Sequence, residues 1–256
     1  MGTIGGFLLD LDGTCYLGER AIPGAPEFVA RCRSAGKRIL WVTNNCSRSA
    51  SEYAAKLQRL GFTATPGDVF TSGEATLQLL RREAVDRVYL LGTPSLEREF
   101  RHAGIALTAE DPQRLVAAFD LGVTYEKLRV ACRLARAGVP FIATHPDLNC
   151  PTEEGSIPDC GAICAFITAA TGVSPRVVGK PHSGMAEAAA RRLGLPPERV
   201  AMVGDRLYTD IRMAVENRMT GILVLTGETT RADLASSPVQ PHRVVESLAD
   251  LLGEER

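Results

Sequence analysis

Phe7-Leu8-Leu9-Asp10-Leu11-Asp12-Gly13-Thr14 is the stretch on which the reading of this chain turns. A short apolar run stops at an acid, a second acid follows two residues later, and a glycine and a threonine close the motif. Side chains alternate along an extended backbone, so Asp10 and Asp12 point the same way if the strand continues. Gly13 permits a tight turn or a close approach of backbone. Two neighbouring carboxylates at the end of an apolar strand repel each other, and a bound cation would resolve the conflict.

Working outward, three more apolar runs end in polar groups. Arg38-Ile39-Leu40-Trp41-Val42 runs into Thr43-Asn44-Asn45, Arg176-Val177-Val178 into Gly179-Lys180-Pro181, and Val200-Ala201-Met202-Val203 into Gly204-Asp205-Arg206-Leu207-Tyr208-Thr209-Asp210. Helical patterns separate them. Pro23 to Ala35 carries Phe28, Val29 and Cys32 on one side and stops at Gly36. Ser49 and Glu52 stand at capping-box spacing ahead of a helix with Tyr53, Leu57 and Leu60 on one face. Tyr125–Ala137, Gly161–Ala170, Ser183–Leu193 and Tyr208–Glu216 also read as helices. Val88–Leu91, Leu115–Phe119, Phe141–Ala143 and Ile222–Leu225 read as strands. Strands alternating with helices imply parallel sheets with helices on their faces. The expected fold is therefore α/β, with a Rossmann-like doubly wound parallel sheet core. The chemically loaded strand ends fall before residue 46 and after residue 179, which divides the chain into a first core part at 1–80, an inserted α/β domain at 81–175 and a second core part at 176–256.

Composition bounds the function. The 256 residues carry 29 Lys+Arg against 30 Asp+Glu, a formal −1, with 45% apolar and 23% charged residues. Such a chain has the apolar surface that disordered chains lack, and it lacks the bulk positive charge that holds nucleic acid. No run approaches the roughly 18 apolar residues of a membrane span. Met1-Gly2-Thr3-Ile4-Gly5-Gly6 lacks the basic start and apolar stretch of a signal peptide, and Gly at position 6 argues against lipid attachment. Seven Cys, at 15, 32, 46, 132, 150, 160 and 164, form no CxxC pair, which suggests a reducing compartment. The expectation is a soluble cytoplasmic protein without nucleic-acid or membrane partners.

In a parallel sheet the carboxyl ends of the strands share one edge, and ligands bind there at a topological switch point. The four polar clusters can therefore converge. Asp205 and Asp210 add oxygen ligands to those of Asp10 and Asp12, a hard set that suits Mg2+; these motifs contain no thiolate or imidazole, which argues against zinc. The Thr43 hydroxyl and the backbone N–H groups of Asn44 and Asn45 precede a helix start, a favourable place for an anion. Lys180 adds a compact positive charge. Together these describe a phosphoryl-transfer site. Each residue also has a bland reading. Asp10 and Asp12 could form a solvated turn, Lys180 could lie on the surface, Thr43 could be a polar strand end, and Asp210 could only stabilise a helix start. Four motifs in order outweigh those readings. Trp41 and Cys15 read as packing, and His145 and His182 as structural or surface residues rather than essential bases.

DLDGT, TNN, GKP and GDRLYTD, in this order and at these distances, resemble the haloacid dehalogenase superfamily of aspartate-nucleophile phosphatases. PGAPEF at 23–28, TSGEAT at 71–76, ATHPDLNCP at 143–151 and VLTGETT at 224–230 resemble its subfamily IIA, the group of NagD-like, nitrophenyl, phosphoglycolate and pyridoxal phosphatases. The resemblance implies that Asp10 is the nucleophile, forming an aspartyl-phosphate. Asp12 would protonate the leaving alkoxide and then take a proton from the hydrolytic water. Thr43, Asn44 and Lys180 would hold the phosphate. Mg2+ would be bound by the Asp10 carboxylate, the Asp12 backbone carbonyl and Asp205, with Asp210 behind them. The inserted segment would be a cap that closes over the phosphate site and touches the leaving group. Asn149 and Cys150, expected in a Pro-rich turn, would lie near the substrate. Pyridoxal phosphatases have His where this chain has Cys150, which weighs against pyridoxal phosphate. The implied substrate is a small phosphorylated metabolite, and the resemblance allows pairing of two copies through the cap. A phosphotransferase or mutase would use the same aspartyl-phosphate. A phospho-acceptor module without turnover would share the Mg2+-bound Asp, but length, the insertion and Asp12 argue against it.

Overall fold

The computed structural model describes residues 4–152 and 154–252; the Met1-Gly2-Thr3 opening, on which the leader and lipid expectations partly rest, lies outside them. In chain order the elements are β1 (Gly6–Leu9), β2 (Tyr16–Leu17), β3 (Arg20–Ala21), α1 (Ala25–Ser34), β4 (Arg38–Thr43), α2 (Ala50–Arg59) and β5 (Val69–Thr71). There follow α3 (Ser72–Arg82), β6 (Arg87–Leu91), α4 (Pro94–His102), β7 (Ala106–Leu107), β8 (Arg114–Ala117), α5 (Tyr125–Arg136) and β9 (Phe141–Ala143). Next come β10 (Asn149–Thr152), β11 (Gly155–Pro158), α6 (Cys160–Thr171) and β12 (Arg176–Val177). The chain then forms α7 (Ser183–Leu193), β13 (Val200–Gly204), α8 (Arg212–Glu216), β14 (Thr220–Val224), α9 (Arg231–Ser236) and β15 (Arg243–Val245). The chain divides into two compact units. One holds the chain up to Thr43, Ala50–Phe70 and the chain from Lys180; the other holds Asn44–Ser49 and Thr71–Gly179.

The first unit is built on a sheet of order β15-β14-β13-β1-β4-β5. β1 runs parallel to both β13 and β4. All four of its residues are buried, because helices cover both faces of a parallel sheet; this is why the strand reads as a continuous apolar run rather than an alternating one. Phe7, Leu9, Ile39 and Trp41 pack against Phe28 and Val29 of α1 and Tyr53 and Leu57 of α2. Phe28 meets Phe7 edge to face at 5.2 Å, and Phe62 meets Trp41 at 6.0 Å. The apolar faces expected of α1 and α2 are the buried ones, apart from Leu60, which is only partly buried.

The second unit has its own parallel sheet, of order β12-β9-β8-β6-β7. Leu91, Leu115, Ala117, Phe141 and Ala143 pack against Ala131, Cys132 and Ala135 of α5 and Ile163 and Ile167 of α6. This is the α/β Rossmann-like organisation expected of the chain.

Local differences have local causes. The helix expected at Tyr208–Glu216 begins instead as a π turn over Leu207–Ile211. The turn forms because Asp210 Oδ2 accepts the Arg206 N–H at 3.1 Å, drawing the acid back to the strand end. The strand expected over Leu115–Phe119 ends at Ala117, although the Ala118 N–H still reaches the Leu91 carbonyl at 2.8 Å. Asn149 and Cys150, expected in a turn, lie in β10, paired antiparallel with β11. Among the described residues no helix is long and apolar enough to cross a membrane.

Candidate active site

In the first unit the chain leaves β1 towards β4 and β5 on one side, while β13, β14 and β15 extend on the other. The carboxyl ends of β1 and β13 therefore flank the switch point, where a crevice opens in such sheets. Asp10 follows β1, and its N–H donates to the Val203 carbonyl of β13 at 2.9 Å, which fixes the acid at that point.

Lys180 arrives from a distant part of the chain. Its Nζ donates to Asp10 Oδ1 at 2.5 Å and to the Val42 carbonyl of β4 at 3.0 Å, and it stands 2.7 Å from Asp210 Oδ1. The side chain is buried. Burial alone would favour a neutral amine, but the Asp10 and Asp210 charges outweigh it and raise the ammonium above its ordinary value. Thr43 is buried at the carboxyl end of β4, one residue past that Val42 carbonyl.

Asp205 ends β13. Its Oδ2 accepts the Glu228 N–H at 2.7 Å, while its Oδ1 is buried without a hydrogen-bond partner among the described residues. Oxygens of Asp10, Asp205 and Asp210 lie within 4.8 Å of one another. Burial, then the neighbouring carboxylates, pushes Asp205 up. Burial also raises Asp210, against the pull of Lys180. Three carboxylates facing one ammonium leave two negative charges uncompensated. An orphaned carboxylate oxygen amid that excess is what a hard divalent cation fits, so the residues present suit a divalent metal. Asp10 and Asp205 would hold it, with Asp210 beside them.

Asp12 does not join that group. Its Oδ2 accepts the Tyr16 hydroxyl at 3.4 Å. The residue is partly exposed, yet enough protein surrounds the carboxyl that burial, followed by the Asp10 charge, pushes it up to about 6. An acid with such a value can both give and take a proton near neutrality.

Glycines make room for this packing. Gly13 has φ +82°, and a Cβ there would meet Asp205 Oδ2 at 2.5 Å. A Cβ on Gly227 would stand 1.9 Å from the same oxygen, and one on Gly204 2.3 Å from Asp210 Cγ. The loop after β14 thus supports Asp205 through Gly227 and the Glu228 N–H. The sequence carries a signal for this role in VLTGETT, a glycine just past an apolar strand.

Asn44 begins the second unit, where its amide donates to Asp147 Oδ1 and Oδ2 at 3.3 and 3.2 Å. Asn149 is exposed, and Cys150 is partly exposed, its Sγ 3.9 Å from Asn45 Nδ2. His182 is exposed ahead of α7. His145, by contrast, is fully buried in a cluster of charges.

The haloacid dehalogenase-like hydrolase family model matches residues 7–106, and a second HAD-hydrolase-like model matches residues 177–251. The chain is 37% identical to the 5'-nucleotidase YutF of Bacillus subtilis over 251 residues, covering 98% of each. Among solved structures it is similar to a 4-nitrophenylphosphatase from Thermotoga maritima, with a TM-score of 0.93 and 43% identity over 97% of this chain and 96% of that one. It is also similar to a glycerol phosphate phosphatase from Mycobacterium tuberculosis solved with magnesium, with a TM-score of 0.90 and 34% identity over 97% of this chain and 76% of that one.

Proposed function

Because the chain belongs to the haloacid dehalogenase-like hydrolases, in the subfamily IIA group of NagD-like and nitrophenyl phosphatases, we propose that it is a Mg2+-dependent phosphatase of small phosphomonoesters working through an aspartyl-phosphate. The observation that carries this reading is the placement of Asp10, pinned by its backbone to β13 and by Lys180 to β4, beside the orphaned Oδ1 of Asp205.

The chemistry follows from those contacts. Asp10 Oδ2 attacks phosphorus while Lys180 restrains Oδ1, so the nucleophile is oriented before substrate arrives. The leaving alkoxide takes a proton from the Asp12 carboxyl, and the resulting carboxylate then accepts a proton from the water that hydrolyses the acyl-phosphate. Thr43 and Asn44 hold phosphoryl oxygens, and Lys180 offsets their charge. Asp10 and Asp205, with the Asp12 carbonyl as a further ligand and Asp210 supporting, would hold a divalent cation, which would neutralise charge at the phosphoryl group.

Sugar phosphates, glycerol phosphates, phosphoglycolate and nitrophenyl phosphate are the substrate classes in view. The inserted 81–175 segment, acting as a cap, chooses among them, with Asn149 and Cys150 as contacts to the leaving group. A cytoplasmic location and pairing of copies belong to the same proposal. The test is phosphate release from nitrophenyl phosphate by the purified protein with Mg2+. Turnover by the parent chain and its loss in Asp10→Asn are expected. Normal turnover by that variant overturns the nucleophile assignment, and transfer to an added alcohol in place of water would make the enzyme a phosphotransferase.

A further inference from the structure

The second unit holds a group of charged side chains that the mechanism above does not use. His145 is 0% exposed, Asp147 5% and Asp159 3%. The imidazole lies between the two acids, with Nδ1 3.4 Å from Asp147 Oδ2 and Nε2 3.4 Å from Asp159 Oδ1. Each ring nitrogen faces a different carboxylate at ion-pair distance.

The cluster is tightly framed. Asp159 caps α6, its Oδ1 accepting the Cys160 N–H at 2.5 Å, and its own N–H reaches the Leu148 carbonyl at 2.9 Å. The Gly161 N–H donates to the Asp147 carbonyl at 2.8 Å, and a Cβ on Gly161 would stand 2.3 Å from the Pro146 carbonyl. The 144–148 turn is therefore fastened to the start of α6 and has little freedom to shift.

What the cluster holds is the phosphate motif's own chain. Both oxygens of Asp147 accept from the Asn44 amide, and the Asn44 carbonyl accepts the buried Ser72 hydroxyl at 2.5 Å. The Gly179 N–H donates to the Thr144 carbonyl at 2.8 Å. A Cβ on Gly179 would stand 2.6 Å from Asn44 Oδ1 and 3.1 Å from His145 Cβ. Asn44 and Gly179 are thus packed together against His145, and each is one residue along the chain from a phosphate-site residue, Thr43 and Lys180 respectively.

We propose that His145, Asp147 and Asp159 form a positioning network for the phosphate site: the ring bridges two buried carboxylates, and Asp147 in turn fixes Asn44 and the backbone at which Thr43 and Lys180 are presented. This rests on the phosphatase reading and deepens it. His145 acts through other residues and touches no reacting atom.

The groups facing the ring are Asp147 from the turn after β9, Asp159 and the Cys160 thiol from the start of α6, and the Cys46 thiol from the 44–49 segment, with Cys164 behind Cys160 at 4.0 Å. Burial pulls the imidazolium down, and the Asp159 charge and the Asp147 carboxylate push it up. Burial keeps the Cys160 thiol neutral, so in the neutral range the two carboxylates are the charges that matter. The network is intact while the ring is protonated and loosens as pH rises through the ring's folded pKa.

The test joins kinetics with the ring's own titration. Asp147→Ala removes the acceptor of the Asn44 amide yet leaves His145 and Asp159 as a balanced pair. The KM for nitrophenyl phosphate and the inhibition constant of inorganic phosphate should both rise about tenfold, the scale of one charge-assisted hydrogen bond. Partial unfolding alone would lower kcat and leave both constants where they were. Asp147→Asn keeps a carbonyl acceptor and should recover most of the loss. Asp159→Asn should lower the pH at which the His145 ring nitrogens titrate in 15N spectra, and with it the pH above which KM climbs. A ring that is neutral at pH 7 in the parent protein overturns the proposal, as does unchanged phosphate affinity in Asp147→Ala. A parent protein that fails to hydrolyse nitrophenyl phosphate would overturn the phosphatase reading instead, while the ring titration and calorimetry with inorganic phosphate still decide the network.

Discussion

The Lys180 ammonium sits 2.5 Å from Asp10 Oδ1 although 170 positions separate them in the chain. The pair is buried, and Asp210 Oδ1 lies 2.7 Å from the same nitrogen. Removing the one cation of this group leaves buried carboxylates opposed only to one another. Lys180→Met should therefore destabilise the metal-free protein by about 3–5 kcal/mol, the cost of breaking a buried pair from one side. Trp41, the single tryptophan of the chain, lies in the core of the same unit and reports its unfolding. Unchanged urea midpoints by Trp41 fluorescence would mean that the pair carries no net stability.

Asp12 sets a stability that depends on pH. Its folded value is raised from 3.8 to about 6, chiefly by burial and then by the Asp10 charge. The unfolded chain therefore gives up this proton first. Asp12 favours the folded state below pH 3.8, and that contribution is lost as pH rises through about 6. Asp12→Asn, which never ionises, should stabilise the metal-free protein at pH 8 by on the order of 1–3 kcal/mol and by much less at pH 4.5. The same variant should lose turnover of alkyl phosphates more than of nitrophenyl phosphate, whose leaving group departs more readily without a proton. Equal stabilisation at both pH values would contradict the assignment of the raised acid to Asp12.

Gly227 should tolerate no side chain. A Cβ there would fall 1.9 Å from Asp205 Oδ2 and 2.4 Å from its Cγ, so Gly227→Ala must displace the acid or break its bond from the Glu228 N–H. Loss of such supporting contacts weakens metal binding by roughly 10- to 100-fold. Calorimetric titration with Mg2+ measures this directly, and an unchanged dissociation constant would show that the 226–229 loop does not position Asp205.

The parallel sheets and the meeting of Asp10 with Asp205 were legible because β1 and β13 each stop at a polar motif, and parallel topology places such ends on one edge; Lys180 follows β12, which belongs to the second unit's sheet, so the shared-edge argument does not account for its place. The support around the two acids was not legible. Nothing local announces that Gly204 is bare because Asp210 folds back onto it, and the π turn at 207–211 has the same apolar spacing as an ordinary helix start. In the sequence His145 is one more isolated histidine, because its partners, Asp147 and Asp159, gain meaning only once α6 is seated against the 144–148 turn. Asn149 and Cys150 went into β10 because pairing with β11 is a tertiary choice that overrides the turn bias of Pro151.

The charge balance around Lys180 makes a further prediction about stability. Asp10, Asp205 and Asp210 against one ammonium leave an excess of two negative charges, and Asp205 Oδ1 has no hydrogen bond to offset its burial. A divalent cation bound there binds the folded chain and not the unfolded one, so it should stabilise by about 2.7 kcal/mol at a concentration 100 times its dissociation constant. Asp205→Asn removes one of the two excess charges and the orphaned carboxylate oxygen together. That variant should start out more stable than the parent without metal and gain little when Mg2+ is added. Thermal unfolding with and without Mg2+, each against a chelator control, measures both halves of the prediction. If Asp205→Asn gains as much from Mg2+ as the parent does, the cation binds somewhere other than this group of acids.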